Sequence, residues 1–189
     1  MGATCPIRDK KELEVFKNYY LKQGKIRNYL LIVMGLNTAL RISDLLQLQW
    51  ENVYDYQKKC LRKHLYVQEQ KTGKNNVIAL NGSIKEALTL YWKCQSPNSY
   101  LFCVSNDTTH PISRSQAWRI VKKAAEDTGL DEHISCHSLR KTFGYHAWKQ
   151  GIPPVILMNI YNHSSYQITK RYLGIEQEDK DDVFLQIKL

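Results

Sequence analysis

The sequence contains no long uninterrupted run of apolar residues. The longest apolar stretch, residues 29–40, is broken by Gly35, Asn37 and Thr38, so it falls short of the ~18 apolar residues of a membrane-spanning helix. The N-terminal segment, MGATCPIRDKKELEVF, has no apolar core of the signal-peptide type. Internal repeats and low-complexity tracts are also lacking, and the length of 189 residues fits one globular domain.

Paired cysteines and nucleotide-binding loops are lacking as well. The cysteines are scattered and form no C-x-x-C pair: Cys5, Cys60, Cys94, Cys103 and Cys136. An odd, scattered set is typical of reduced thiols in the cytosol rather than of a disulfide framework. No glycine-rich loop of the kind that binds nucleotide phosphates is present. The sequence therefore predicts a cytoplasmic protein without a nucleotide cofactor.

Clusters of metal ligands are sparse. His133, Cys136 and His137 lie close together in the sequence and are the best candidates for a zinc site. No second Cys/His cluster has metal-ligand spacing, so no metal is predicted. His146 lies further along the same predicted helix and receives no functional role.

Positive charge is in clear excess and is unevenly distributed. The chain has 27 Lys and Arg against 18 Asp and Glu, which gives a net charge of +9. Residues 176–189 contain five acidic residues and two lysines, so the preceding 175 residues carry +12. A strongly basic body favours a polyanionic partner, most often nucleic acid, although the charge can also serve solubility alone.

Hydrophobic periodicity predicts a mainly helical domain with a small antiparallel sheet inserted early, an α+β fold. Helices are predicted over residues 9–21, 25–36, 41–48, 83–91, 113–127, 135–150, 155–161 and 165–173. Short strands are predicted at residues 53–54, 65–67 and 77–80. The segment EQKTGKNN separates the last two strands and is typical of a hairpin.

Two basic residues in the first half of the chain are candidates for chemistry. Arg41, in LNTALRISDLLQL, opens an amphipathic helix, and its planar guanidinium suits a bidentate contact with phosphate. The alternative is a salt bridge with Asp44, three residues further along. Lys71, at the predicted hairpin, can enter a DNA groove or deliver a proton if it is desolvated. Lys74 competes for that role, and simple solvation is the alternative for both lysines.

A second group of candidates lies near the C-terminus. His137 and Arg140, in CHSLRKTFGYHAW, are three residues apart and share a helix face. In NHSSYQITKRYLGI, both Tyr166 and Tyr172 follow His163, and this segment alone does not decide between them. A free tyrosine has a pKa of about 10, so only about one in a thousand is ionised at neutral pH. A nucleophilic tyrosine therefore needs cationic donors beside it.

Taken together, these segments resemble the tyrosine recombinase family, also called the phage integrase family. The matching segments are TALRISDLLQL, the lysine of EQKTGK, HSLRKTFGYH and NHSSYQITKRY. They occur in the family's order from about residue 11 to residue 173. Each segment alone is weak, whereas the combination is specific. The resemblance implies the fold of a tyrosine recombinase catalytic domain, acting on double-stranded DNA in a bacterial cytosol or nucleoid.

The resemblance also assigns roles to the basic residues. Arg41 and Arg140 correspond to the two catalytic arginines that bind the non-bridging oxygens of the scissile phosphate. Lys71 corresponds to the hairpin lysine, the general acid for the 5′-hydroxyl leaving group. Asp44 falls where the family commonly has an acidic residue, which implies that it orients its neighbours.

The remaining roles implied by the resemblance lie in the C-terminal segments. His137 would contact the phosphate and assist proton transfer, and His163 would donate a hydrogen bond to the phosphate. Tyr172, nine residues after His163, corresponds to the nucleophile. Tyr166 matches no family role. Many members have glycine where this sequence has Asn162, a small departure.

The implied reaction is a transesterification that cuts DNA, forms a 3′-phosphotyrosyl link and releases a 5′-hydroxyl. It conserves bond energy in the covalent intermediate, so no cofactor is expected. The resemblance also implies self-association on DNA as a synaptic tetramer. Two alternatives are a non-catalytic DNA-binding regulator on the same fold and a DNA topoisomerase with a related tyrosine site.

The domain organisation follows from the same resemblance. Residues 1–175 are expected to form the catalytic domain, without a separate N-terminal DNA-clamping domain. Residues 176–189 are expected to form a tail, whose apolar residues suit a docking helix in cis or in trans. Further basic residues are candidates for DNA contact, with a solvated basic surface as the alternative: Lys74, Arg114, Arg119, Lys122, Lys123, Lys170 and Arg171.

Overall fold

A computed structural model describes residues 4–71, 73–92, 96–104, 107–130, 133–175, 181 and 184–185. The helices are α1 Lys10–Lys22, α2 Ile26–Thr38, α3 Ile42–Leu46, α4 Trp50–Val53, α5 Gly82–Tyr91, α6 Arg114–Asp127, α7 Cys136–Lys149, α8 Pro154–Tyr161 and α9 Tyr166–Leu173. The strands are β1 Tyr54–Asp55, β2 Cys60–Leu61, β3 His64–Gln68, β4 Asn75–Ala79, β5 Cys103–Val104 and β6 Asp107–Pro111. The predicted α+β class, mostly helical, is confirmed.

Helix α2 forms the centre of the core. Every residue from Tyr29 to Leu36 is buried, because this helix is apolar around its whole circumference. Helices α1, α5 and α7 pack around it. At Gly35 the side chain of Leu139 from α7 lies where a Cβ would be, so the glycine allows the two helices to approach closely.

The predicted helix starts are confirmed at most positions. Asp9 caps α1 by accepting hydrogen bonds from the backbone N–H groups of Lys11 and Glu12. Ser113 and Ser135 cap α6 and α7. The helix predicted over residues 83–91 begins one residue earlier, at Gly82, because Asn81 forms the cap of α5.

The sheet differs from the single small sheet that the sequence predicted. Among the described residues it consists of three separate two-stranded antiparallel pairs, β1–β2, β3–β4 and β5–β6. The hairpin β3–β4 is confirmed, with His64 opposite Ala79 and Gln68 opposite Asn75. The pair β5–β6 was missed, because DTTHP lacks the apolar alternation that marks a strand in a sequence.

A second apolar cluster fixes the last two helices. Leu157 and Tyr161 of α8 pack with Leu173 of α9 and with Ala39, which follows α2. This cluster attaches the C-terminal helices beside the end of α2. It therefore brings α9 next to α7 and the segment before α3.

The predicted docking of the C-terminal tail lies almost wholly outside the described residues. Within the tail, Phe184 and Leu185 are described and are exposed. Across the described ranges, no helix combines the length and apolar character needed to cross a membrane.

Candidate active site

Arg41 lies at the N-cap of α3, immediately after a sharp change of chain direction. Helix α2 ends at Ala39 in the left-handed conformation, with φ 55° and ψ 15°, which is uncommon for a residue with a Cβ atom. Leu40 is buried, and the Arg41 side chain is partly exposed at 23%. The carboxylate that contacts the Arg41 guanidinium is Glu69 and not Asp44, the alternative suggested by sequence spacing.

Arg140 lies on α7, and its side chain is almost completely buried. Its guanidinium donates hydrogen bonds to the Ala39 carbonyl and, at 3.5 Å, to the Tyr161 carbonyl. It also lies 4.6 Å from the centre of the Tyr161 ring, within the range of a cation–π contact. These two carbonyls fix the arginine in place, and a guanidinium has further N–H groups that can bind an anion.

His137 lies one turn before Arg140 on α7, and its ring meets that of Tyr172 edge-on. The two ring centres are 5.1 Å apart. Burial of the imidazole, together with the charges of Lys141, Arg140 and Arg41, lowers the pKa of His137 to about 4. The imidazole is therefore neutral at pH 7, although the residue is in part exposed to solvent.

His163 lies two residues after the end of α8, and Thr169 orients its ring. Asn162 has φ 55° and ψ 45°, a left-handed conformation that asparagine tolerates better than most residues, so asparagine suits this position. His163 Nδ1 lies 3.0 Å from Thr169 Oγ1, and that hydroxyl lies 3.3 Å from the Ser165 carbonyl. Thr169 Oγ1 thus contacts both the ring nitrogen and a backbone carbonyl, and these contacts orient the imidazole with Nε2 directed away from Thr169.

Tyr172 is on α9, and its ring lies beside both His137 and His163. Its ring centre is 5.1 Å from those of His137, His163 and Tyr161. Its hydroxyl oxygen is buried and has no hydrogen-bond partner among the described residues. Burial raises the pKa of Tyr172, and the neighbouring positive charges of Arg140 and Arg41 oppose that increase. The tyrosine is therefore protonated at neutral pH in the absence of DNA.

The hairpin β3–β4 carries Lys71 at its turn. The lysine is exposed, and no described contact joins its ammonium group to the other five candidates. The turn itself is attached to α3, since Gln70 N–H donates to Asp44 Oδ1 at 3.0 Å. Lys74 Nζ donates to the Asn159 carbonyl of α8 at 3.0 Å. The two lysines of EQKTGK therefore differ, because Lys74 connects the hairpin to α8 whereas Lys71 extends toward solvent.

Sequence reasoning missed two polar residues that hold the site together, Glu69 and Thr169. Glu69 is 1% exposed, and Thr169 is fully buried. The signal for Glu69 was present, because Leu65, Val67 and Glu69 alternate along one inward face of the strand. Thr169 gave no comparable signal, because its role depends on the position of the His163 ring.

The candidate DNA-contact residues occupy different surroundings. Arg114 and Arg119 are exposed on α6, and Arg114 lines a surface groove of about 390 Å³ together with Ser43 and Gln70. Lys123 is already paired with Asp127 at 2.7 Å. The remaining three are also on helices: Lys122 on α6, and Lys170 and Arg171 in the last turn of α9.

The alternative of a zinc site has no support in the geometry. Within the described ranges, no group of three His, Cys, Asp or Glu side chains is close enough to hold a metal ion. His146 has a structural contact, since its Nε2 lies 2.9 Å from the Ile7 carbonyl.

Two arginines, two histidines and a buried tyrosine from three separate segments thus meet on a mainly helical domain. The sequence matches the family model described as "Phage integrase family" over residues 8–178. The chain therefore belongs to the phage integrase family. Its members are tyrosine recombinases, which are DNA strand-exchange enzymes.

Individual relatives support this membership. The chain is 44% identical over 178 residues to the probable integrase/recombinase YoeC of Bacillus subtilis strain 168, covering 94% of this chain and 93% of that protein. It is 28% identical over 168 residues to the tyrosine recombinase XerA of Pyrococcus furiosus, covering 88% of this chain. The match spans only 54% of XerA, about half its length.

Solved structures share the fold. A crystal structure of XerA recombinase has a TM-score of 0.75 at 20% identity, covering 98% of this chain and 66% of that chain. A lambda integrase dimer bound to a COC′ core site has a TM-score of 0.69 at 18% identity, covering 93% of this chain and 51% of that chain. The expected fold of a tyrosine recombinase catalytic domain is confirmed.

Proposed function

We propose that this chain breaks and rejoins DNA strands through a covalent 3′-phosphotyrosyl intermediate on Tyr172. One observation carries the proposal: the Tyr172 ring packs edge-on against two histidine rings, and its buried hydroxyl is within electrostatic range of Arg140 and Arg41. A packing tyrosine has no need of two arginines and two histidines around it. A nucleophilic tyrosine does, since the phosphorus centre that it attacks becomes more anionic as the bond forms.

The cleavage step requires one bond to form and one to break. Tyr172 Oη attacks the phosphorus of a phosphodiester, and the bond from phosphorus to the 5′ oxygen breaks. The phenolic proton needs an acceptor, and neutral His137 is suited to this because its lowered pKa leaves a ring nitrogen free to accept. The reverse step, in which a 5′-hydroxyl attacks the phosphotyrosine, rejoins a strand.

The two arginines would stabilise the charge that develops on the non-bridging oxygens. Arg140 is held by two backbone carbonyls and Arg41 by Glu69, so both are fixed in place before DNA arrives. Preorganised donors of this kind contribute about 3 kcal/mol each in oxyanion holes. His163, with Nδ1 directed at Thr169, has Nε2 left for the phosphate.

Lys71 would protonate the departing 5′ oxygen. Its ammonium group is exposed on the hairpin turn, and the turn is attached to the helix of Arg41 through Asp44. The exposed position of the ammonium group allows it to enter a DNA groove together with the hairpin. Because Lys71 lies outside the cluster formed by the other five residues, it would reach the leaving group only when DNA is bound.

The proposed partner is double-stranded DNA, and strand exchange implies that several copies of the chain assemble on it. Each copy carries one Tyr172, whereas an exchange between two duplexes cuts more than one strand. The net charge of +9 supports an anionic partner. The structurally similar lambda integrase is a dimer bound to a core site, which supports self-association by analogy.

Covalent capture of DNA tests this function directly. The protein is incubated with a pool of nicked duplexes that have randomised sequence around the nick, so that the cut fragment diffuses away and the adduct accumulates. We expect an adduct that is stable on a denaturing gel. Tyr172→Phe should abolish it, and Tyr166→Phe, the matched control on the same helix, should retain it.

Two results would contradict the proposal. An adduct that persists at the wild-type level in Tyr172→Phe would show that another residue is the nucleophile. Failure of the folded wild-type protein to form an adduct with any member of the pool would favour the non-catalytic regulator.

A further inference from the structure

Glu69 is a buried carboxylate with both oxygens engaged. Its side chain is 1% exposed. One oxygen contacts the Arg41 guanidinium, and the other accepts a hydrogen bond from Asn76 Nδ2 at 2.7 Å. A carboxylate held in this way does not rotate away from its partner without losing a hydrogen bond in a desolvated setting.

The backbone of Glu69 belongs to the turn that carries Lys71. Its N–H donates to the Lys74 carbonyl at 2.9 Å, and its carbonyl accepts from Gly73 N–H at 2.8 Å. The side chain of Glu69 therefore extends from a closed, hydrogen-bonded turn toward α3. The guanidinium of Arg41 is thus held against a rigid element rather than against a mobile surface group.

This arrangement limits where the Arg41 guanidinium can lie. Its neighbours Leu40 and Asp44 are buried, so the backbone around it is fixed. The side chain itself is long and partly exposed, and without an anchor it would sample several rotamers. The contact with Glu69 restrains one guanidinium nitrogen of Arg41 and leaves other N–H groups available for a phosphate.

We propose that Glu69 is a positioning residue that orients the Arg41 guanidinium for the scissile phosphate. The proposal rests on the function proposed above. A purely structural ion pair would affect stability alone. Under this proposal, loss of Glu69 should specifically impair the stabilisation of charge on a non-bridging oxygen. The proposed role also differs from an inhibitory contact, in which loss of the competing carboxylate would accelerate cleavage.

The test measures the rate of adduct formation in a single turnover at saturating protein, with a nicked duplex that the wild-type protein attacks. Glu69→Gln keeps the shape but removes the charge, and Glu69→Asp keeps the charge but moves the carboxylate away from Arg41. Glu86→Gln, an exposed glutamate on α5, is the matched control. Melting temperatures establish that each variant is folded.

We expect Glu69→Gln to cleave about 10-fold more slowly, by analogy with the loss on removing outer partners of metal-binding side chains. Glu69→Asp should be slowed in the same direction, and Glu86→Gln should match the wild type. DNA affinity should change little, since Glu69 is buried and Arg41 retains its charge.

Two modified substrates separate positioning of Arg41 from other roles. In a methylphosphonate duplex, one non-bridging oxygen is replaced by methyl, so less charge needs stabilising. In a 5′-bridging phosphorothiolate duplex, the leaving group needs no general acid. The Glu69→Gln defect should shrink to within about 2-fold on one methylphosphonate isomer, as should that of Arg41→Ala, because the arginine contact is then dispensable. The Glu69→Gln defect should persist on the phosphorothiolate duplex. Of these variants, only Lys71→Ala should regain its cleavage rate on that substrate.

Several outcomes would overturn the inference. Wild-type or faster cleavage by Glu69→Gln would show that the carboxylate does not assist Arg41. An equal defect on all three substrates would indicate a structural role only, and recovery on the phosphorothiolate alone would indicate action through Lys71. If the wild-type protein forms no adduct, the proposed function itself fails and the inference fails with it.

Discussion

Tyr166 and Tyr172 show how surroundings distinguish two identical side chains on one helix. They are six residues apart on α9, which places them on different faces. Tyr166 is 40% exposed in the first turn, whereas the Tyr172 hydroxyl is buried and its ring packs against those of His137 and His163. The sequence around them did not separate the two. The family resemblance selected Tyr172, and its surroundings give the physical reason for that choice.

The histidine beside Tyr172 should make the stability of the DNA-free protein depend on pH. Folding lowers the pKa of His137 from 6.5 to about 4, so the folded state favours the neutral ring. Its stabilising contribution is complete above the pKa of the unfolded chain and is lost as the pH falls toward 4. We therefore expect the melting temperature of His137→Gln to decrease less steeply than that of the wild type between pH 7 and pH 4.

Thermal unfolding over this pH range provides the measurement. His64→Gln, which removes an exposed histidine on β3, is the control for loss of a histidine outside the site. Burial also lowers the pKa of His146 and His163, so part of the slope should remain in His137→Gln. Identical slopes in the wild type and His137→Gln would show that the fold does not favour the neutral form of His137.

At the scale of elements, a glycine decides how closely α9 approaches α7. A Cβ atom at Gly144 would overlap with the side chains of Leu173 on α9 and Tyr161 on α8. Gly144→Ala should therefore displace the helix that carries Tyr172. Overpacking of this kind costs about 1–3 kcal/mol. We expect a lower melting temperature together with slower adduct formation at temperatures where the variant is still folded.

Gly82 on α5 provides the matched control for this substitution. No atom lies within 4 Å of the position that its Cβ would take. Gly82→Ala should leave adduct formation unchanged. The variant should melt at a slightly higher temperature, because alanine restricts the unfolded chain more than glycine does. If Gly144→Ala melts and reacts like Gly82→Ala, close packing of α7 against α8 and α9 does not position the tyrosine.

The elements also explain why the hairpin remains close to the site. Asp44 holds the turn through Gln70 N–H, and Lys74 connects it to α8 through the Asn159 carbonyl. Glu69 adds the contact with Arg41. Among the residues of β3 and β4 only Leu65 is buried, and two-stranded hairpins are marginally stable alone. Polar contacts from helices on two sides therefore hold the element that carries Lys71.

At the scale of the whole molecule, the positive charge should make DNA binding strongly dependent on salt. Each phosphate contact made by a lysine or arginine adds about 0.9 to the slope of log affinity against log salt concentration. Arg114 and Arg119 are exposed on α6 and are the candidates most available for such contacts. We expect Arg114→Ala combined with Arg119→Ala to reduce the slope by about 2 for non-specific duplex DNA.

Lys123 provides a control on the same helix. Its ammonium group is paired with Asp127 at 2.7 Å, so it has less to gain from a phosphate. Lys123→Ala should change the slope less than either arginine substitution. Titration of labelled duplex at several salt concentrations measures the slopes. Equal slopes for the wild type and the double arginine variant would exclude α6 as a DNA-contact surface.

Much of the fold was predictable because its signals are local. Caps such as Asp9, Ser113 and Ser135 act within one helical turn, so the sequence alone locates the starts of α1, α6 and α7. The hairpin β3–β4 was predictable from its turn composition. Helix α4 and the pair β5–β6 were not, because they depend on long-range contacts, such as that between Trp50 N–H and the Ser99 carbonyl.

The sequence by itself determined the helical order, the basic charge and the set of candidate residues, since each depends on residue type and short spacing. Only the tertiary structure decided which partners those residues meet. It paired Arg41 with Glu69 rather than Asp44, directed His163 toward Thr169, and packed the Tyr172 ring edge-on against His137 of α7. Burial and contacts between distant segments fix these partners, and neither is encoded in local spacing.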